Sequence, residues 1–65
     1  MIDDCEWRLL QAIANPQLKL RDVVEVYQHA KRFGEDVNWE RVHQEIIHRW
    51  SCFALEWIRR EAGKR

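Results

Sequence analysis

Apolar side chains recur along this chain every three or four residues, the spacing of amphipathic helices, and no stretch alternates with the two-residue period of a strand. Proline and glycine interrupt the pattern at Asn15-Pro16, Gly34 and Gly63. The pattern therefore predicts one all-α domain that occupies residues 1–65. Its three helices are expected at about 4–14, 20–33 and 39–62, followed by a tail at 63–65.

The first two helices carry sequence signals at their ends. Asp3 with Glu6 three residues later has the pattern of a capping box, and Ile2 with Trp7 has the spacing of a hydrophobic staple. Gly34 is expected to end the second helix in the left-handed conformation that glycine adopts there. The second helix presents apolar side chains over about half of its circumference, as a helix between two others does. These side chains are Leu20, Val23, Val24, Val26, Tyr27, Ala30 and Phe33.

The third helix is expected to be long. Asn38 is a favoured N-cap residue, and no glycine or proline follows before Gly63, so the helix would extend about 36 Å at 1.5 Å per residue. A break at Ser51 stays open as the alternative, although serine alone is a weak stop. A heptad-like seam with spacings of four and three residues runs along this helix: Trp39, His43, Ile46, Trp50, Phe53 and Trp57.

A second apolar arc on the same helix indicates self-association. Ile47, Leu55 and Ile58 lie about 100° round from the seam, so apolar surface covers more than half of the circumference. Two helices of about half the length do not cover both arcs, and the missing cover is expected from a second copy in a homodimer. The residues expected to hold the long helix on the first two are Trp39, Val42 and Ile46. The expected interface consists of Ile47, Trp50, Phe53, Leu55, Trp57 and Ile58.

Charge is distributed unevenly along a chain that is neutral overall, with 11 basic and 11 acidic side chains. Residues 34–48 contain four acids and one base, whereas residues 49–65 contain five bases and two acids. The third helix is thus acidic at its start and basic at its end. Two antiparallel copies would pair these opposite charges, and matching of charge to the helix dipole explains the same split.

A nucleic-acid-binding regulator is the alternative function. The second helix, the short turn at 34–38 and the third helix resemble a helix-turn-helix in outline. Arg41, Gln44 and His48 would then face DNA, and arginine and glutamine are side chains that read base edges. Glu40 and Glu45 share that surface and would repel phosphates, which favours the protein-binding function.

No catalytic or metal site is expected. The pattern Glu-x-x-His occurs at Glu40–His43 and at Glu45–His48, but an offset of five residues turns the two pairs about 140° apart on one helix. Two cysteines lack zinc-binding spacing and are expected to be reduced. The sequence therefore predicts a non-enzymatic protein without metal or cofactor.

Targeting signals are also absent from the pattern. The N-terminal stretch MIDDCEW is acidic where a signal peptide is basic, and no apolar run approaches the ~20 residues of a membrane span. We expect a small cytoplasmic regulatory protein: an adaptor, inhibitor or assembly factor that binds itself and a further, unidentified protein, and not a membrane.

Overall fold

The computed structural model describes residues 3–64, and this part of the chain forms four α-helices with no strand. The helices are α1 at Asp4–Ala14, α2 at Leu20–Phe33, α3 at Trp39–Arg49 and α4 at Cys52–Ala62. The predicted all-α class is confirmed, and α1 and α2 occupy the ranges expected for them. The predicted number of three helices is wrong. Ile2, half of the expected hydrophobic staple, lies outside the described residues.

The long helix predicted for 39–62 is divided at two residues. Trp50 leaves the helical conformation, with φ −117° and ψ −91°. Ser51 is fully extended, and its hydroxyl accepts a hydrogen bond of 3.2 Å from the backbone N–H of Ala54. Serine is favoured at this N-cap position because its oxygen satisfies an N–H group that has no partner within the helix. Ser51 therefore begins a new helix.

The division lets α4 pack back onto the rest of the chain. Both α1 and α4 pack against α2 and against α3, so the helices form a closed ring in the order α1, α2, α4, α3. One cluster of buried apolar side chains fills the ring: Leu9, Ile13, Val23, Val24, Tyr27, Ala30, Val42, Ile46, Leu55 and Ile58. Val42 and Ile46 thus hold α3 on the other helices as expected, while Trp39 packs at the edge of the cluster.

Two carboxylates fasten the start of α1 to the turn between α2 and α3. Asp3 caps α1 by accepting from the N–H of Cys5 at 2.8 Å, and its second oxygen accepts from the N–H groups of Glu35 and Asp36, each at 3.3 Å. The bond from Cys5, assisted by the two others, lowers the pKa of Asp3. The predicted capping box is only half formed, because the carboxylate of Glu6 is buried and accepts from the N–H of Asn38 at 2.7 Å.

Two side chains fasten the other helix ends. The guanidinium of Arg49, at the end of α3, donates to the carbonyl oxygens of Ile13 and Asn15 at the end of α1. The amide of Gln28 in α2 donates to the carbonyl oxygen of Ala62 at the end of α4, at 3.2 Å. The last carbonyls of a helix have no partner within it, so these donors stabilise both ends while joining helices.

Gly34 ends α2 in a way that differs from the prediction. Its backbone is extended, with φ −74° and ψ 131°, and not left-handed. The surroundings of Gly34 leave no room for a side chain. A Cβ atom there would lie 2.5 Å from Cγ2 of Val37 and 2.6 Å from the carbonyl oxygen of Ala30. Glycine is therefore needed here because a side chain would not fit, and not because the backbone takes a conformation that only glycine adopts.

We expect Ser51→Ala to lower the free energy of unfolding by about 1 kcal/mol, because the N–H of Ala54 loses its acceptor. Urea unfolding followed by tryptophan fluorescence measures this change. Ser51→Asp keeps an acceptor oxygen and should retain most of the stability. Equal stability of wild type and Ser51→Ala would show that packing alone sets the break between α3 and α4.

Gly34→Ala should lower the free energy of unfolding by about 1–3 kcal/mol, the usual cost of overpacking a filled site. Gly63→Ala is the matched control, since a Cβ atom there would lie 3.4 Å from its nearest neighbour, the carbonyl oxygen of Arg59. The control should change stability by less than about 0.5 kcal/mol. Similar losses in the two variants would contradict the explanation by close packing.

Candidate functional site

The six residues of the predicted interface divide into two groups. Leu55 and Ile58 have 8% and 0% of their surface exposed and belong to the core of the chain itself. The break at Ser51 turns their arc of α4 towards α2 and α3, so a second copy is not needed to cover it. These two residues are therefore removed from the interface.

The other group remains at the surface. Phe53 in the first turn of α4 is 82% exposed. Trp57 follows it one turn later, where residues four apart are neighbours on a helix, and Trp50 immediately precedes the cap of α4. Both tryptophans are half-buried against the core, as is Ile47 at the end of α3. We call Trp50, Phe53 and Trp57 the aromatic surface.

Arg49 holds one edge of the aromatic surface in place. Its guanidinium carbon lies 4.7 Å from the centre of the Trp50 ring, within the range of a cation–π interaction. The same guanidinium is fixed by the carbonyl oxygens of Ile13 and Asn15. Trp50 is therefore positioned by contacts that the folded chain already makes.

A second group of aromatic side chains joins α2 to α3 across the ring of helices. The hydroxyl of Tyr27 and Nε2 of His43 are hydrogen-bonded at 2.9 Å, and only 1% of Tyr27 is exposed. The Trp39 ring centre lies 5.0 Å from that of Tyr27 and 6.0 Å from that of His43. The ammonium of Lys31 stands 5.9 Å from the Tyr27 ring centre. This cluster places His43, a seam residue, against the core.

Burial favours the neutral forms of both Tyr27 and His43. Loss of hydration lowers the pKa of His43, and the positive charges of Arg59 and Lys31 lower it further. Loss of hydration also raises the pKa of Tyr27, against the opposing effect of Arg59. The pair links α2 to α3.

The residues predicted for nucleic-acid binding are all on the outside of α3. Arg41, Gln44 and His48 are exposed there, and Glu40 and Glu45 are exposed beside them. The structure thus keeps on one surface the acidic side chains that oppose contact with phosphates.

Between residues 3 and 64, no group of three or more His, Cys, Asp or Glu side chains is arranged to hold a metal ion. Cys5 and Cys52 are both free thiols, the first half-buried and the second exposed.

Sequence reasoning missed an open groove between the second half of α2 and the end of α4. Its volume is about 750 Å³. Phe33 was expected on the apolar side of α2 but is 60% exposed in this groove, because α2 ends there and Gly34 leads the chain away. The signal in the sequence was the basic pair Lys31-Arg32 beside an aromatic residue at the helix end. The lining residues are Glu25, Gln28, His29, Lys31, Arg32, Phe33, Ala62 and Lys64.

Comparison of the chain with protein-family models, with curated proteins and with solved structures finds no match. Within residues 3–64, each helix is too short or too polar to cross a membrane.

The neutral His43 should make stability depend on pH. Its folded pKa is lowered below the ordinary 6.5, so the unfolded chain takes up a proton first as the pH falls. The full stability is present above about pH 6.5 and is lost as the pH falls through the folded pKa. We expect His43→Gln to abolish this dependence between about pH 7.5 and 5, measured by urea unfolding.

His48→Gln is the matched control, since His48 is exposed on the same helix. It should keep the pH dependence of the wild type. An unchanged dependence in His43→Gln would contradict the assignment of the titration to the Tyr27–His43 pair.

Proposed function

We propose that the protein is a small non-enzymatic protein–protein interaction module, an adaptor, inhibitor or assembly factor, that forms a homodimer through the aromatic surface. The observation that carries this proposal is the 82% exposure of Phe53, which follows Trp50 by three residues and precedes Trp57 by four along the chain. An exposed apolar patch is typical of an interface, and tryptophan is the side chain most enriched among residues that dominate binding energy.

Part of the aromatic surface is already held in place before a partner binds. Burying an exposed phenylalanine side chain contributes about 1.5–3 kcal/mol. Trp50 and Trp57 are already packed against the core, and Arg49 fixes the Trp50 ring. An interface whose anchors are held in place loses less side-chain entropy on association. The aromatic surface is therefore prepared for a partner in the folded monomer.

A second copy is the partner that this surface suits best. A two-fold axis beside Phe53 would bring the two Phe53 rings together, with Trp57 of each copy one helical turn further along α4. The dimer expected from two long antiparallel helices no longer follows, because the helix is divided at Ser51. The contact proposed here is shorter and centres on the first turn of α4.

We place the protein in the cytoplasm, where free thiols such as Cys5 and Cys52 persist. A further protein partner completes the proposed role as an adaptor or regulator. The buried hydroxyl of Tyr27 and its neutral partner His43 support a non-enzymatic role, because both groups hold the fold together.

Phe53→Ala should weaken the dimer at least about tenfold, equivalent to about 1.4 kcal/mol, while stability of the monomer changes by less than about 0.5 kcal/mol. Sedimentation velocity over a concentration series measures the dimer, and urea unfolding measures the stability. Phe33→Ala is the matched control: it removes another exposed phenylalanine ring, at 60% exposure, outside the aromatic surface.

The control should sediment as the wild type does. A wild-type chain that sediments as a folded 8.0 kDa monomer at about 100 μM would contradict self-association.

The exposed thiol of Cys52 next to Phe53 gives a second test, because mild oxidation of the proposed dimer should join two copies through Cys52. Cross-linking through Cys5 in its place would assign the contact to the start of α1.

A further inference from the structure

We infer that the groove between α2 and the end of α4 binds an acidic peptide segment of a partner protein that carries an apolar side chain. This surface is additional to the aromatic surface of the proposed homodimer. Its volume of about 750 Å³ lies within the range of about 300–1,000 Å³ typical of ligand sites.

The apolar part of the groove is an aromatic pair. The ring centres of His29 and Phe33 lie 4.8 Å apart with an interplanar angle of 46°. Both residues belong to the last turns of α2, and Phe33 keeps 60% of its surface exposed. The pair therefore offers an aliphatic or aromatic side chain a place to pack, and packing there would bury the ring of Phe33.

The ionised side chains around the aromatic pair are mostly positive. Lys31, Arg32 and Lys64 line the groove with Glu25, and Glu61 is paired with Lys64 at 2.9 Å, so these five side chains carry a net charge of +1 (three cations minus two carboxylates). The only ion pair within residues 3–64 joins Lys64 to Glu61, so no carboxylate of these residues lies within 4.0 Å of the charged nitrogens of Lys31 or Arg32. On a chain with no net charge this is a local positive surface, and its complement is a cluster of carboxylates.

The wall of the groove is fixed by the fold. Gln28 in α2 donates to the carbonyl oxygen of Ala62 at 3.2 Å, so the end of α4 is held beside α2. A peptide would meet a formed site with little rearrangement of the backbone.

A protein segment fits this surface better than nucleic acid does. Glu25 lines the groove, and Glu35 and Asp36 follow closely after Phe33. Regularly spaced phosphates would approach these carboxylates, whereas a peptide can place a carboxylate beside Arg32 and keep clear of Glu25.

The groove and the aromatic surface lie at opposite ends of α4. Phe53 is in the first turn and Ala62 is the last residue of that helix, a separation of about 14 Å along its axis at 1.5 Å per residue. One end of α4 is thus available for self-association while the other holds the acidic segment, which is the arrangement that an adaptor requires.

Selection from a random dodecapeptide library displayed on phage, with the intact protein as the bait, tests the inference without assuming a sequence. The enriched peptides should combine several Asp or Glu residues with at least one large apolar residue. One enriched peptide is then synthesised and its Kd measured. Arg32→Glu and Phe33→Ala should each raise the Kd at least about tenfold, and rising salt should raise it for the wild type.

Arg21→Glu is the matched control. It makes the same charge change on α2, in the first turn and outside the groove, and should change the Kd less than about twofold. No enrichment, enrichment of neutral or basic peptides, or an unchanged Kd in both groove variants would overturn the inference. Tighter binding of single-stranded oligothymidine, lost in Arg32→Glu, would overturn it and assign the groove to nucleic acid.

Sedimentation measures the oligomeric state independently of peptide binding, so the two proposals are tested separately. The groove variants should keep the oligomeric state of the wild type, and Phe53→Ala should keep the peptide Kd. If the protein is a dimer but does not bind acidic peptides in the groove, only the peptide-binding inference is rejected. If the protein is a monomer that still binds acidic peptides, only the homodimer is rejected.

Discussion

The hydrogen bond from the N–H of Ala54 to the hydroxyl of Ser51 marks the point on which the rest of the structure depends. Without a break there, α3 and α4 would continue in one direction and leave Leu55 and Ile58 uncovered. With the break, both side chains enter the core. A chain of 65 residues buries only about 60% of its unfolded surface, so two further core residues are a substantial share.

Side chains that cross between helix ends complete this small fold. Asp3 and Glu6 hold the start of α1 against the turn that leads into α3, and Arg49 holds the ends of α1 and α3 together. Gln28, inside α2, holds the end of α4. The bonds to Ile13 and Ala62 satisfy carbonyl groups that have no partner within their own helix, and the bonds to Glu35, Asp36 and Asn38 satisfy N–H groups of the turn before α3. The same bonds position the surfaces proposed for binding, since Arg49 also supports Trp50 and Gln28 supports the groove.

The two proposed surfaces differ in their physical character. The aromatic surface is an exposed phenylalanine between tryptophans, and suits a second apolar surface. The groove places cations around the His29–Phe33 pair and suits carboxylates. Because they lie at opposite ends of α4, a chain with no net charge can present one apolar contact and one electrostatic contact that do not compete.

The amino-acid sequence by itself determined the helical class, the ranges of α1 and α2, the caps at Asp3 and Asn38, and most core positions, because periodicity and capping are local properties. It did not decide whether Ser51 interrupts a helix. A serine cap contributes only about 1 kcal/mol, whereas burying Leu55 and Ile58 contributes about 1.5–3 kcal/mol each. That second contribution exists only when α4 meets α2 and α3. The inward arc of α4, the exposure of Phe33 and the groove beside it were therefore decided by tertiary packing, since each depends on where a distant helix lies.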